Sequence, residues 1–317
     1  MFPHRYEAGK RQLEEAFGVT VVESRHATAD ARWLAEHPEA RASDLMEAFA
    51  DSSIRAIIST IGGDDSIRLL PLLDYDLIRK NPKVFLGYSD STVTHLACFK
   101  AGLVSFYGPS IMAGFGENGG LFQYMVSSVR QNLFSRQATQ ILPNVDGWTC
   151  ERLEWAKPEL QNQRRKLRPC SGWRWLQGSG IHRGRLIGGC LEVLDWLRGT
   201  LVWPELSVWR ESILFLELSE QAIPPGAVVR ILRAIAATGA LRQVQGILFG
   251  RPYGEESNFA EYDTALLHVC GELGLQSLPL VTQMDFGHTD PMFVLPCGVE
   301  AEIDCDRQQL RVEPATS

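Results

Sequence analysis

The chain has 317 residues, 45% of them hydrophobic and 22% charged, with a formal net charge of -7. That length allows two domains, each with its own core, and the acidic balance excludes nucleic acid or an anionic membrane as the main partner. No uninterrupted apolar run would cross a bilayer, and the opening "MFPHRYEAGKRQLEEAF" lacks the apolar centre of an export signal, so a cytoplasmic protein is expected.

Residues 1 to about 135 alternate helix and strand. "RYEAGKRQLEEAFG" reads as an amphipathic helix closed by Gly18, a residue suited to the C-cap. "VTVVES" is expected as a strand and "EARASDLMEAFAD" as a helix. "IRAIIST" follows as an apolar β-branched run stopped by Gly62-Gly63, then "KVFLGYS" as a strand and "STVTHLACFKAG" as a helix. Strands apolar on both faces and separated by helices predict a parallel sheet covered on two sides. Such sheets bind ligands at the carboxyl ends of their strands, where both Gly62-Gly63 and Ser89 fall.

Residues 136–180 change character. Four tryptophans (Trp148, Trp155, Trp173 and Trp175) mix with the basic cluster Arg164, Arg165, Lys166 and Arg168, without clear periodicity. The segment is either an interdomain linker or an ordered loop over a site, and its tryptophan density favours the loop. From 181 order returns: "GRLIGGCLEVLDWLRGT" turns at Gly188-Gly189 into a helix, and "SILFLELSE" and "VQGILFG" are strands flanking the helix "GAVVRILRAIAATGAL". The remainder reads as short strands with turns. The expected fold is α/β, with a doubly wound, mostly parallel N-terminal domain (1–135) and a smaller, strand-rich C-terminal domain (181–317).

Ser89 lies in "GYSDS", a near match to the G-x-S-x-G elbow, which lifts a serine hydroxyl above a sheet on a strained strand–helix turn. The helix starting there aims free N–H groups and a positive dipole end at the turn. An oxyanion formed by attack of Ser89 would lie beside the Asp90 amide, and Gly63 could supply a second donor. The same serine would also serve as an N-cap. A serine needs a base to take its proton. Of seven histidines, His4, His26 and His37 sit in polar early segments, His95 points away inside its helix, and His182 and His268 have no special context. His288, in "MDFGHTDPM", stands in a turn after a strand, where loops carry functional groups. Glu217 interrupts the apolar strand "ILFLELSE"; buried, it would need a partner, although alternation also allows it a solvated face. Glu220 and Asp285 are less constrained.

The cysteines (Cys98, Cys150, Cys170, Cys190, Cys270, Cys297 and Cys305) are odd in number, widely spaced and never C-x-x-C, which suggests neither a zinc site nor a disulfide framework. The chain lacks H-E-x-x-H and a Walker lysine. Beside a hydrolase, the residues admit a binding protein that keeps the fold without chemistry, or a nucleotide-binding regulatory module using the Gly62-Gly63 turn.

"TIGGDDSIRLLPLLDYDLI", "NPKVFLGYSDSTVTHLA", "GLVSFYGPSI", "ILFLELSE" and "DFGHTDPMFVLPCG" together resemble the LD-carboxypeptidase family of serine peptidases, most of all its microcin C self-immunity branch. The resemblance implies a triad of Ser89, Glu217 and His288, oxyanion donors at the Gly63 and Asp90 amides, and a site in the cleft between two domains. It further implies a cofactor-free, metal-free, cytoplasmic homodimer. Its substrates would be peptides ending in a D-amino acid, as in murein tetrapeptide, or an aminoacyl group joined to a nucleotide-like sulfamate or phosphoramidate. Gly62 would border the substrate, and Trp155, Trp173 or Trp175 would stack on the nucleobase. The resemblance also implies a strand and turn ahead of "FPHRYEAG", where Met1 falls here, leaving a gap near the middle of the sheet.

Overall fold

The computed structural model describes residues 2–135 and 139–315. Met1, at the implied gap, and residues 136–138, the first of the expected interdomain loop, lie outside the described residues. None of the described helices is long and apolar enough to cross a membrane.

Two sheets organise the chain, as the alternating apolar runs predict. In the first, Ala56–Ile58, Val84–Gly87 and Ser105–Tyr107 run parallel, and Leu295–Cys297 returns from the C-terminal part to pair antiparallel with Ser105–Tyr107. Its register sets Gly87 beside Tyr107. The second sheet has eight strands. Ile181–Cys190, Ser212–Glu217, Gly246–Gly250 and Leu280–Met284 form a parallel centre with antiparallel strands on either side.

Two apolar cores run between and behind these sheets, and strand alternation assigns residues to them. Ile213 and Phe215 join one core with Leu86 and Tyr107, whereas Leu214 and Leu216 join the other with Phe85 and Leu96. Both faces of the Ser212–Glu217 strand are therefore covered, and all six residues are buried.

The segment "VTVVES", expected as a strand, forms none. β-Branched residues favour a strand only where a neighbour offers a ladder and a surface to pack on. Here the Val21 N–H donates to the Glu14 carboxylate instead (2.8 Å), Val19 and Val21 lean on a core, and Val22 is left 69% exposed. The edge strand Ala56–Ile58 is bonded only to Val84–Gly87 among the described residues.

Residues 139–180 are structured, not a tether. Gln140–Ile141 and Arg174–Gln177 supply the two edge strands of the larger sheet, and Gly147–Trp148 pairs with Arg168–Pro169. Trp148 is buried between the guanidinium groups of Arg168 and Arg251, 5.3 and 5.1 Å from its ring. Aromatic burial with cation–π contacts accounts for part of the tryptophan density.

Candidate active site

The strand Val84–Gly87 passes through Tyr88 into a tight turn, Ser89–Ser91, and then the helix Thr92–Lys100. Ser89 has a φ of 63°, the left-handed region that a residue with a Cβ enters only under constraint. Two contacts impose it. The Ser89 N–H donates to the Tyr107 hydroxyl (3.0 Å), and the Thr92 hydroxyl donates to the Ser89 carbonyl (2.7 Å). Ser89 makes no side-chain capping bond, so the helix-cap reading is set aside.

The Ser89 hydroxyl meets His288 instead: Oγ lies 3.1 Å from Nε2. The other ring nitrogen, Nδ1, lies 2.6 Å from Glu217 Oε2. Glu217 is fully buried, so a solvated face for it is overturned by the packing on both sides of its strand. Its second oxygen accepts a 2.5 Å hydrogen bond from the Tyr107 hydroxyl. A buried carboxylate is costly unless its oxygens are partnered, and both are. Gly287, with φ 95°, makes room for this: a Cβ there would fall 2.5 Å from Glu217 Oε2.

Burial opposes charge on His288, but the Glu217 and Glu220 carboxylates outweigh it and push the imidazole up to about 10. Glu220, on the loop beyond the Glu217 strand, reaches His288 Nε2 at 3.1 Å. That hydrogen bond pulls the Glu220 carboxyl down to about 2. His95 is apart from this chain, buried and bonded to Ser105 and the Gly87 carbonyl.

The Gly62-Gly63 turn is pressed against the elbow. A Cβ on Gly62 would lie 2.9 Å from Ser89 Cβ and 3.0 Å from its Oγ. The buried Asp90 carboxylate accepts the Ser66 N–H (3.0 Å) and hydroxyl (2.5 Å). Arg41 donates to the same hydroxyl (2.7 Å) and pairs with Asp65. Residues 62–66 are thereby tied to the elbow.

A cleft of about 440 Å³ opens over these groups, bordered by Gly62, Gly63, Ser89, Glu220 and His288 and roofed by Cys150–Leu153, Trp155 and Arg165. Trp155 stands in its wall, the Arg5 guanidinium 4.2 Å from its ring centre. Trp173 and Trp175 do not reach it. Trp173 is buried and donates its indole N–H to Asp285 (2.7 Å), because a buried indole needs an acceptor; Trp175 lies in the edge strand Arg174–Gln177, packed on a core. Asp285 is not loosely placed either, being fully buried and paired with Arg251 (2.7 Å).

Four contributors have roles the sequence does not display: Tyr107 and Arg5, which carry no local signal, Glu220, expected only as a less constrained acid, and Arg165, one member of the basic cluster. Arg165 sits in the basic cluster but is turned inward, bridging Glu117 and Asp290 (2.7 Å to the latter). Arg5 donates to the Met112 carbonyl (2.7 Å) and Asn118 (2.6 Å). Each acts through partners distant in sequence, so local pattern carries no trace of them.

A serine, a histidine and a glutamate linked in that order on an α/β scaffold form the kind of arrangement that serine hydrolases use. The profile for the LD-carboxypeptidase N-terminal domain matches residues 2–108 and that for the C-terminal domain matches 183–303. The chain belongs to the LD-carboxypeptidase family. It is 31% identical over 312 residues to a putative carboxypeptidase of Vibrio cholerae, covering 98% of this chain and 90% of that one. It is 33% identical over 280 residues to the microcin C7 self-immunity protein MccF of Escherichia coli, covering 86% and 77%. Among solved structures, an MccF-like protein from Streptococcus pneumoniae in complex with AMP superposes with a TM-score of 0.88 at 31% identity, over 98% of this chain and 93% of that one. MccF in complex with glutamyl sulfamoyl guanosine gives 0.87 at 29%, over 99% and 91%.

Proposed function

We propose that the protein is a serine amide hydrolase whose triad is Ser89, His288 and Glu217. The observation that carries this reading is the unbroken chain from Ser89 Oγ through His288 to Glu217 (3.1 and 2.6 Å) at a strained elbow. Ser89 attacks the scissile carbonyl as His288 Nε2 takes its proton. Glu217 fixes the Nδ1–H tautomer and stabilises the imidazolium. The Gly63 and Asp90 amides hold the oxyanion. His288 then returns the proton to the leaving nitrogen, and water releases the acyl group from Ser89.

The substrate class we infer is an aminoacyl group joined through an amide-like bond to a nucleotide, the reaction of a self-immunity or detoxifying enzyme. Support comes from the likeness to MccF and to structures holding AMP and glutamyl sulfamoyl guanosine. Trp155 offers the one indole of the three candidates that faces the cleft, and an indole face stacks well on a base. Release of a terminal D-amino acid from murein tetrapeptide is the second reading, favoured by the family to which the chain belongs. Hydrolysis of an aminoacyl sulfamoyl nucleotide and of murein tetrapeptide, measured side by side with wild type and Ser89→Ala, decides both points. The expected result is turnover of the first compound and none by the folded variant; equal turnover by Ser89→Ala would refute the triad.

A further inference from the structure

Glu220 occupies a place that the hydrolysis above does not use. Its side chain is 47% exposed in the cleft, and its Oε2 lies 3.1 Å from His288 Nε2. Ser89 Oγ reaches that same nitrogen at 3.1 Å. The two neighbours make opposite demands. Ser89 can surrender its proton only to a bare Nε2 lone pair, whereas a carboxylate is held only by an Nε2–H. Since the ring also partners Glu217 through Nδ1, engagement of Glu220 selects the imidazolium, which cannot act as a base.

The surroundings leave this balance to Glu220. Glu217 faces His288 from the strand below, with Tyr107 and Cys190 behind it, and the Tyr88 ring lies 4.9 Å from the imidazole. Tyr253 and Arg152 face Glu220 from the cover of the cleft. Arg5 and Arg165 are committed to other partners. Arg152 and Asp64 are exposed and make no ion pair among the described residues.

We propose that Glu220 is both latch and recognition group: it holds His288 as the imidazolium in the empty site and is drawn away by the free α-ammonium of an aminoacyl substrate. This rests on the hydrolase reading above and sharpens its substrate class. Glu220 lies within two hydrogen-bond lengths of Ser89 Oγ, and an α-ammonium is attached one carbon from the carbonyl that Ser89 attacks. Its ion pair with Glu220 removes one of the two carboxylates that keep His288 charged. The Nε2 proton then passes to water and the lone pair faces Ser89. A peptide whose corresponding amine is acylated offers no such charge and leaves the latch closed.

The test uses an aminoacyl sulfamoyl adenosine and its analogue with a methyl group in place of the α-ammonium. Wild type should favour the ammonium compound by about tenfold or more in kcat/KM, as a charge-assisted contact of this kind implies, and Glu220→Gln should bring the ratio toward unity. For the ammonium compound, the acid limb of kcat should lie below that of kcat/KM. The His288 imidazole, followed by NMR in the free protein, should titrate at least about one pH unit lower in Glu220→Gln. An unchanged ratio together with an unchanged titration overturns the proposal. If wild type cleaves neither compound and Ser89 takes no fluorophosphonate, the hydrolase reading has failed. The titration and the relative affinity of the two compounds then decide the matter alone: both shifted by Glu220→Gln supports the latch, both unmoved overturns it.

Discussion

Tyr107 and Glu217, 110 residues apart in the chain, share a 2.5 Å hydrogen bond through which one sheet grips the acid on the other. The same hydroxyl accepts the Ser89 N–H. One phenol therefore positions two members of the proposed triad. Tyr107→Phe leaves the buried Glu217 oxygen and the Ser89 amide short of a partner, which costs about 1–3 kcal/mol each way of counting. We expect a lower Tm and a kcat reduced about tenfold or more at nearly constant KM, the pattern of lost positioning. Wild-type kcat in a folded Tyr107→Phe would remove Tyr107 from the account.

The three candidate tryptophans should separate by phenotype. Trp155 stands in the cleft, and base–indole stacking contributes about 1–3 kcal/mol. Trp155→Ala is expected to raise KM for an aminoacyl nucleotide about tenfold while leaving kcat close to wild type. Trp173→Phe forfeits the indole bond to Asp285 and should lower Tm without moving KM. Steady-state kinetics beside thermal melts distinguish the two patterns; a KM effect confined to Trp173 would reverse the assignment.

Much of this arrangement is legible in the sequence. The parallel strands show as apolar runs because both of their faces are covered, as in Ser212–Glu217. Ser89, Glu217 and His288 each break a local rule: a hydroxyl at a strand end, an acid inside an apolar run, a histidine in a glycine turn. The structure brings these three together. What stayed hidden depends on partners far along the chain. Residues 19–24 have strand-like composition but no ladder to join, and composition cannot report a missing neighbour. Nor could it show that Asp285 would engage Trp173, or that Glu220 would reach across to the imidazole.

Gly287 should tolerate no side chain. Alanine there must adopt φ 95° and place its Cβ 2.5 Å from Glu217 Oε2. Positive φ alone costs a residue with a Cβ about 1–3 kcal/mol, and the collision displaces the Glu217 carboxylate as well. Gly287→Ala is expected to lose both stability and activity, measured by denaturant titration and turnover. Full activity at wild-type stability would contradict the geometry described for this turn.

The pH dependence follows from His288. Its imidazole is raised in the folded protein from the usual 6.5 to about 10. The associated stability is therefore fully present below about 6.5 and is lost as pH rises through 10. Relative to His288→Gln, wild type should lose stability between those limits. The base form accumulates as pH rises toward 10, so kcat/KM for a substrate without a titrating α-amine, which reports the free enzyme, should climb through neutrality and level only near pH 10. A profile already flat below pH 7 would show that the carboxylates do not govern this ring.

The most direct examination of the central claim, that His288 activates Ser89, is peptide mapping by mass spectrometry after exposure to a fluorophosphonate. One adduct is expected, on Ser89, formed by wild type and nearly abolished in both His288→Ala and Glu217→Gln. An adduct on another residue, or undiminished labelling of Ser89 once His288 is gone, would contradict it.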